Sequence, residues 1–453
     1  MKVFLYLFLS INLYFANLLS AAEVFQNKVY VSNFGSNSVS VWDTTKPNEP
    51  AKIIKIGEVD PTFLVLKSDG KRLYVLDAFG VNIISTESMT VLKRINFNRG
   101  TFPQLKGAGR PSNLAITSDD KFVYINITDD HTGIGRGDIL VAVLNTETDI
   151  IDRFIPIKEG RFVAQGITIA NNEIFVGYNE SKPPNPQSNA SISIIDNSTN
   201  KVTETILIGD KFGPSLAVAI TEPLKIYGGL AEPNGLAKLA IIKFDGTDYI
   251  STNKPVNFWG LFFAPSQKHQ RMFATDARDI FMINTSNESV KQFVINRNPF
   301  GIALNHDENI LYVADNTNNK VLIYDIVGND IIPAQPAFFK VGSKPYGVAV
   351  GPSSQTPKVV VLPPTHLKGK VIENRFLTQT DLTVRLTWKP SPDLSVIIYN
   401  VFRNDELIGT VLADSKLEFD DHNREEDKTY TYMVEALITE DQVSKPISIT
   451  IKT

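Results

Sequence analysis

Residues 28–45, KVYVSNFGSNSVSVWDTT, set the pattern of the chain. A short apolar run meets a Gly/Asn/Ser turn, a second alternating run follows, and a polar stop comes at Asp43. Period-two alternation marks half-buried strands, and turn-forming residues between two such runs mark a hairpin. The unit recurs. Its end, where two mostly apolar residues precede Asp, Asn or Ser, falls at Val41-Trp42-Asp43, Ile83-Ile84-Ser85, Val143-Leu144-Asn145, Ile194-Ile195-Asp196, Lys243-Phe244-Asp245, Met282-Ile283-Asn284 and Ile323-Tyr324-Asp325. Asp or Asn suits this exit turn, because its side chain bonds backbone groups two residues on.

Two further series keep the same register. An apolar pair, with an aromatic in most copies, precedes each hairpin: Tyr30-Val31, Tyr74-Val75, Tyr124-Ile125, Phe175-Val176, Ile226-Tyr227, Phe273-Ala274 and Tyr312-Val313. Strands apolar at nearly every residue form the third series: PTFLVL from Pro61, PSNLAI from Pro111, GITIA from Gly166, PSLAVAI from Pro214, GLFFA from Gly260, GIALN from Gly301 and GVAVG from Gly347. Successive hairpin ends lie 42, 60, 51, 49, 39 and 41 residues apart. A period of about 40–45 residues with insertions is that of a four-stranded propeller blade. The pattern predicts a seven-bladed β-propeller over 23–354, with the continuously apolar strands innermost. The chain opens on the second strand of a blade, and the surplus GVAVG is expected to complete that blade and close the ring. KVVVL (358–362) resembles another second strand and is read as an exit segment, with an incomplete eighth blade as the alternative.

KVYVSNFGSNSVSVWDTT, KRLYVLDAFGVNIIST and ILYVADNTNNKVLIYDI resemble the YVTN family of β-propeller repeats, and the last is also similar to the NHL repeat type. The resemblance covers residues 28–352 and is weakest over 216–257.

A linker is expected at 355–366, where Pro and Ser cluster. Beyond it DLTVRLTW (381–388), VIIYNVFRN (396–404) and TYTYMVEAL (429–437) alternate, and SKPISITIK closes the chain. Residues 367–453 suit a small β-sandwich and resemble a fibronectin type III domain. That resemblance implies core roles for Trp388 and Tyr399 and a tyrosine corner at Tyr430, with Val434 and Ala436 on the same strand. The Leu usual shortly before the corner is missing.

Composition narrows the setting. The chain is 43% apolar with no cysteine, which removes disulfides, thiolate metal sites and cysteine nucleophiles. Lys and Arg number 45 against 49 Asp and Glu, a formal net charge of -4. With no basic excess, nucleic acid is not an expected partner. Lys2, the apolar run Val3 to Leu19 and the small residues Ser20-Ala21-Ala22 form the pattern of a signal peptide over 1–22; an uncleaved anchor is the alternative. The mature chain is expected to be exported to the periplasm, the cell surface or the medium, to be monomeric and to have no membrane span.

In alternating strands, the loop between the second and third strands emerges on the same face as the connection to the next blade. Residues 97–111, 126–138, 158–165, 177–190 and 228–237 are therefore expected as long loops on one face. Such loops on a rigid scaffold are where recognition concentrates. They carry Arg99, Lys106, Arg110, Asp129, Asp130, His131, Arg136, Asp138, Lys158 and Arg161. The expected ligand residues are Arg99, Arg110, Asp130, His131, Arg136, Arg161 and Tyr178, for an anionic ligand or sugar acid. Asp129, Asp130, His131 and Asp138 were weighed as a metal set, but neither their spacing nor the number of histidines supports one. Arg136-Gly137-Asp138 spells the tripeptide that integrins recognise.

No GxSxG, HExxH or P-loop is present. A lactonase- or lyase-like propeller enzyme would need acids or His at the starts of the innermost strands, where Thr62, Asn113, Gln165, Ser215, Phe258, Phe300 and Tyr346 stand instead. The expected function is therefore binding, of a glycan, an envelope component or a protein, without catalysis and without a cofactor. A structural periplasmic scaffold is a further alternative.

Overall fold

Alternation becomes strand throughout the computed structural model, which describes residues 27–57, 59–180, 189–209, 211–219, 224–231, 237–244, 248–266, 268–352, 361–375, 380–393, 396–439 and 442–453. The expected signal peptide lies outside these residues. The architecture is all-β. Contacts divide the chain into two units, residues 1–169 with 173–356 and residues 170–172 with 357–453.

The first unit consists of antiparallel meanders in chain order. Four-stranded sheets are formed by Leu64–Leu66, Arg72–Asp77, Gly80–Ser85 and Thr90–Asn96, and by the strands spanning Lys211–Val256, Phe262–Phe293 and Pro299–Lys340. The sheet nearest the N-terminus draws on both ends of the unit. Pro345–Val350 pairs with Lys28–Asn33, which continues to Ser38–Asp43 and Lys52–Lys55. The expected exchange of GVAVG is thus observed as a strand pairing.

Between these sheets the expected third and fourth repeats merge. The 21-residue strand Ile150–Ala170 is the outermost strand of one meander and the innermost of the next, giving one seven-stranded sheet from Ala108–Ile116 to Lys201–Leu207. Residues 158–165, expected as a loop, therefore lie inside a strand. The 126–138 loop is shortened in the same way. Phe122–Asp130 and Gly137–Asn145 run on as a ladder until Asp129 faces Asp138. The insertions extend strands here instead of forming long loops.

The recurring residues explain how neighbouring meanders are held. Tyr74, Tyr124 and Tyr227 are at most 1% exposed, and each sends its hydroxyl to the exit turn of the following meander. Tyr74 bonds Asp149 at 3.3 Å, Tyr124 bonds Asn197, and Tyr227 bonds the Thr285 carbonyl at 3.4 Å. The exit turns use their Asp or Asn as expected: Asp43 accepts from the Thr45 N–H at 3.0 Å, and Asp196 from the Ser198 N–H at 2.7 Å. A buried tyrosine needs a partner for its hydroxyl, and at these three positions the exit turn of the next meander supplies one.

The innermost strands approach one another closely. A Cβ on Gly301 would lie 2.3 Å from the Tyr346 carbonyl oxygen, and one on Gly347 would lie 2.8 Å from that of Thr62. Ser32 secures this contact, accepting from the Gly347 N–H at 2.8 Å and donating to the Thr62 carbonyl.

The second unit pairs Thr365–Arg375, Thr380–Lys389 and Glu418–Arg424 in one sheet. Its other sheet contains Glu406–Leu412, Ile398–Arg403, Thr429–Thr439, Gln442–Val443 and Ile447–Lys452. Trp388 and Tyr399 meet edge-on in its core, with ring centroids 5.8 Å apart. The Tyr430 hydroxyl accepts from the Glu425 N–H at 3.2 Å. Val361, placed in the linker by its sequence, is 2% exposed and belongs to this core. The Leu362 carbonyl accepts from Ser391 Oγ at 2.6 Å.

Candidate binding face

The extended hairpin Phe122–Asp130/Gly137–Asn145 brings three carboxylates to one end of the seven-stranded sheet. All three are buried, and each is satisfied by the neighbouring connections. Asp129 accepts from the N–H groups of Lys106 and Gly107, both at 2.7 Å, fixing the 97–107 connection. Asp130 accepts from the N–H groups of Gly133 at 2.9 Å and Gly135 at 2.8 Å, and from Arg110 Nε at 2.8 Å. Asp138 accepts from Lys106 Nζ at 2.5 Å and the Gly160 N–H at 2.7 Å.

The electrostatics follow from these bonds. Burial alone would raise the Asp130 carboxyl. Hydrogen bonds from Arg110, Gly135, Thr132 and Arg136 outweigh it and hold the group well below the usual carboxylate range. Asp138 is likewise lowered, with Lys106 and the Gly160 N–H overcoming the effect of burial. Charge that would otherwise face solvent is spent inside the loops.

Two of the expected ligand residues are buried. Asp130 is closed around its own hairpin turn. Tyr178 is 2% exposed, packs edge-on against Phe162 at 5.5 Å and bonds Ser193 Oγ at 3.2 Å, so it belongs to the core between strands. The integrin-like tripeptide is affected too. The Asp138 carboxylate is turned inward, and a Cβ on Gly137 would lie 1.8 Å from the Asp129 carbonyl oxygen. Ligands of that receptor class need the carboxylate outside.

The cations present a different picture. Arg99 and Arg161 are exposed, Arg136 is half-buried, and Lys158 is exposed. Arg110 leaves 41% of its side chain in solvent while bonding Asp130, and its guanidinium lies 5.1 Å from the centre of the Phe79 ring. His131 is exposed, with Nδ1 3.1 Å from the Asp129 carbonyl oxygen. Glu159 is the acid on this stretch that stays in water, 84% exposed. Phe79 and Ile134, exposed by 42% and 63%, add apolar surface beside the cations. Neither was selected from sequence, since single exposed apolar residues are common. Among the described residues no cluster of three or more His, Cys, Asp or Glu is arranged to hold a metal.

The inner strand starts divide into different environments. Phe258 is 2% exposed and stacks on Phe281 at 4.1 Å. The Gln165 carbonyl accepts from Ser112 Oγ and Asn126 Nδ2, both at 3.0 Å. The side chain of Ser215 lies outside the described residues. Phe300 and Tyr346 join Phe63 and Phe262 in one ring cluster, with centroids 5.2–5.8 Å apart. Burial raises the Tyr346 phenol to about 12. An aromatic beside Pro or Gly at the strand start (PTF, LFF, PFG, PYG) was the available sequence signal.

No family model matches the chain, and no curated protein matches it. Among solved structures it is similar to a functionally unknown protein from Desulfotomaculum acetoxidans, with a TM-score of 0.54, 14% identity, and coverage of 73% of this chain and 100% of that one. It is also similar to the dihydro-heme d1 dehydrogenase NirN in complex with DHE (TM-score 0.47, 11% identity, 72% and 75% covered). Kuenenia stuttgartiensis hydrazine synthase matches with a TM-score of 0.37 and 17% identity, covering 67% and 74%. The likeness to the first is one of fold alone. Among the described residues no helix is long and apolar enough to cross a membrane.

Proposed function

We propose that this protein is an exported, non-catalytic recognition protein whose cationic face binds an acidic glycan. The observation that carries this reading is the asymmetry of charge at the end of the seven-stranded sheet. Asp129, Asp130 and Asp138 are buried in loop bonds, while Arg99, Arg161 and Lys158 remain in solvent. A surface of this kind, rigid underneath and cationic above, suits spaced carboxylates on a semi-stiff chain, which bidentate arginine recognises well. Phe79 and Ile134 offer apolar area for the faces of sugar rings.

The scaffold in this reading is a seven-bladed β-propeller of YVTN-like repeats, followed by a fibronectin type III domain that spaces it or adds a contact. The ordered meanders and the return of Pro345–Val350 to Lys28–Asn33 support the first. The Trp388–Tyr399 core and the Tyr430 hydroxyl bond support the second. Export rests on the 1–22 pattern.

Immobilised polygalacturonate, with dextran as the neutral control, tests the proposal by interferometry. The full mature chain should bind the uronate polymer, more weakly as salt rises, and not dextran. The triple variant Arg99→Glu, Arg136→Glu, Arg161→Glu should lose at least tenfold in affinity without a change in melting temperature. Equal binding to both polymers, no binding to polygalacturonate, or an unaffected triple variant would overturn it.

A further inference from the structure

The first unit also has an internal feature that the loop face does not use. Its innermost strands, drawn from every meander, line a single cavity of about 350 Å³. That lies within the range of small-molecule sites, about 300–1,000 Å³. Among the described residues lining it none carries a formal charge; they are mainly aliphatic, with Asn113 and Thr168 as polar side chains.

Three observations separate this space from incidental packing. Ala115 and Thr168 line it and are only half-buried, so positions that larger side chains would fill are left small. Phe63 and Phe262 come from meanders far apart in the chain, yet their rings lie 5.2 Å apart and both line the cavity. With Phe300 and Tyr346 behind them, they form an aromatic wall at the end where the inner strands begin. Lastly, the lining strands Leu64–Leu66, Phe262–Pro265, Pro299–Leu304 and Pro345–Val350 are each at the end of their sheet. An edge strand keeps one row of backbone N–H and C=O groups out of the ladder; of these, the Gly347 N–H is taken by Ser32 and the Phe300 carbonyl by Thr275.

These features select the occupant. An ion would lose its hydration and find no countercharge, which is costly. A fully saturated hydrocarbon could not hydrogen-bond any group of these edges left outside the ladder. Aromatic rings favour a flat ring partner, stacked or edge-on. We propose that the cavity is a binding site for one uncharged, planar, ring-containing small molecule that packs against Phe63 and Phe262 and hydrogen-bonds the inner strand edges.

N-phenyl-1-naphthylamine, a neutral fluorescent molecule with a naphthyl and a phenyl group, is the probe. Titrated into the full mature chain, it should bind saturably at one molecule per chain with a blue-shifted emission. Ala115→Phe and Thr168→Phe, which fill the cavity, should each weaken binding at least tenfold. Phe63→Leu, which removes a ring and adds no bulk, should weaken it about fivefold and serves if the larger substitutions do not fold. The sulfonated analogue 1-anilinonaphthalene-8-sulfonate should bind at least tenfold more weakly. Absence of saturable binding, as for a cavity that holds only water, would overturn the proposal. So would affinity unchanged in folded variants, or sulfonate binding as tight as that of the neutral probe. The arginine variants of the outer face leave this readout unchanged, so the two proposals fail separately.

Discussion

Asp130 shows how a single side chain organises the cationic face. Its side chain is 1% exposed and is held by Arg110 and the turn amides. Asp130→Asn keeps the shape but removes the charge and replaces one acceptor with a donor facing backbone N–H groups. The expected loss is about 2–3 kcal/mol at pH 7. The pH dependence follows from the lowered folded-state value. Stability from this group is fully present above its ordinary value of 3.8 and is lost as pH falls from there toward the folded value. Urea unfolding at pH 7, 5 and 3 should therefore show a gap between parent and variant that is constant from 7 to 5 and smaller at 3. A gap independent of pH would assign the effect to shape alone. Sequence made Asp130 look like a ligand residue because Asp-Asp-His in a polar stretch reads as exposed. What it could not show was the ladder running on to Asp129 and Asp138, which turns three acids into acceptors for loop amides. The exposure of Arg99 and Arg161 was legible, because long cations are seldom buried unless paired.

At the level of the strand, legibility followed recurrence. The aromatic preceding each hairpin and the Asp, Asn or Ser ending it were visible because both repeat, and the structure brings tyrosine hydroxyls to the exit turns, as Tyr74 to Asp149. The merged strand Ile150–Ala170 was not visible. KEGRFVAQ contains a glycine and charges, which read as a loop. Yet Gly160 takes φ +135° within the strand, where its N–H reaches Asp138. That conformation is open to glycine and strained for other residues. The inner strands give a sharper test of how glycine sets spacing. At Gly347 an added methyl group would press on the Thr62 carbonyl and on Leu64 Cδ2, both at 2.8 Å, and the carbonyl, being backbone, cannot swing aside. Gly347→Ala should therefore push the first two meanders apart at a cost of about 1–3 kcal/mol. It should also weaken the bond from the Gly347 N–H to Ser32. Chemical unfolding measures the first effect, and faster hydrogen exchange at the Gly347 amide reports the second. Unchanged stability and exchange would mean that the strands absorb the methyl group without moving apart.

For the whole molecule, the decisive contact is between residues more than three hundred positions apart. Val29 faces Val350, and Val31 faces Val348. Without Pro345–Val350, strand Lys28–Asn33 becomes an open edge, and the apolar residues Val29 and Val31, now fully buried, face water. A chain ending at residue 344 should therefore aggregate or remain unfolded, while one ending at residue 352 should fold. The second unit should fold without the first. Its core of Trp388, Tyr399, Tyr432 and Val434 is its own and includes Val361 at the upstream side. Residues 357–453 expressed alone should unfold cooperatively, whereas a fragment starting at 367, the boundary suggested by composition, should be less stable by about 1–3 kcal/mol through the lost burial of Val361. Circular dichroism melts of the four fragments decide both points. Cooperative folding of the chain ending at 344 would mean that pairing of the distant ends is dispensable. Equal stability of the fragments starting at 357 and 367 would mean that Val361 contributes nothing to the second core.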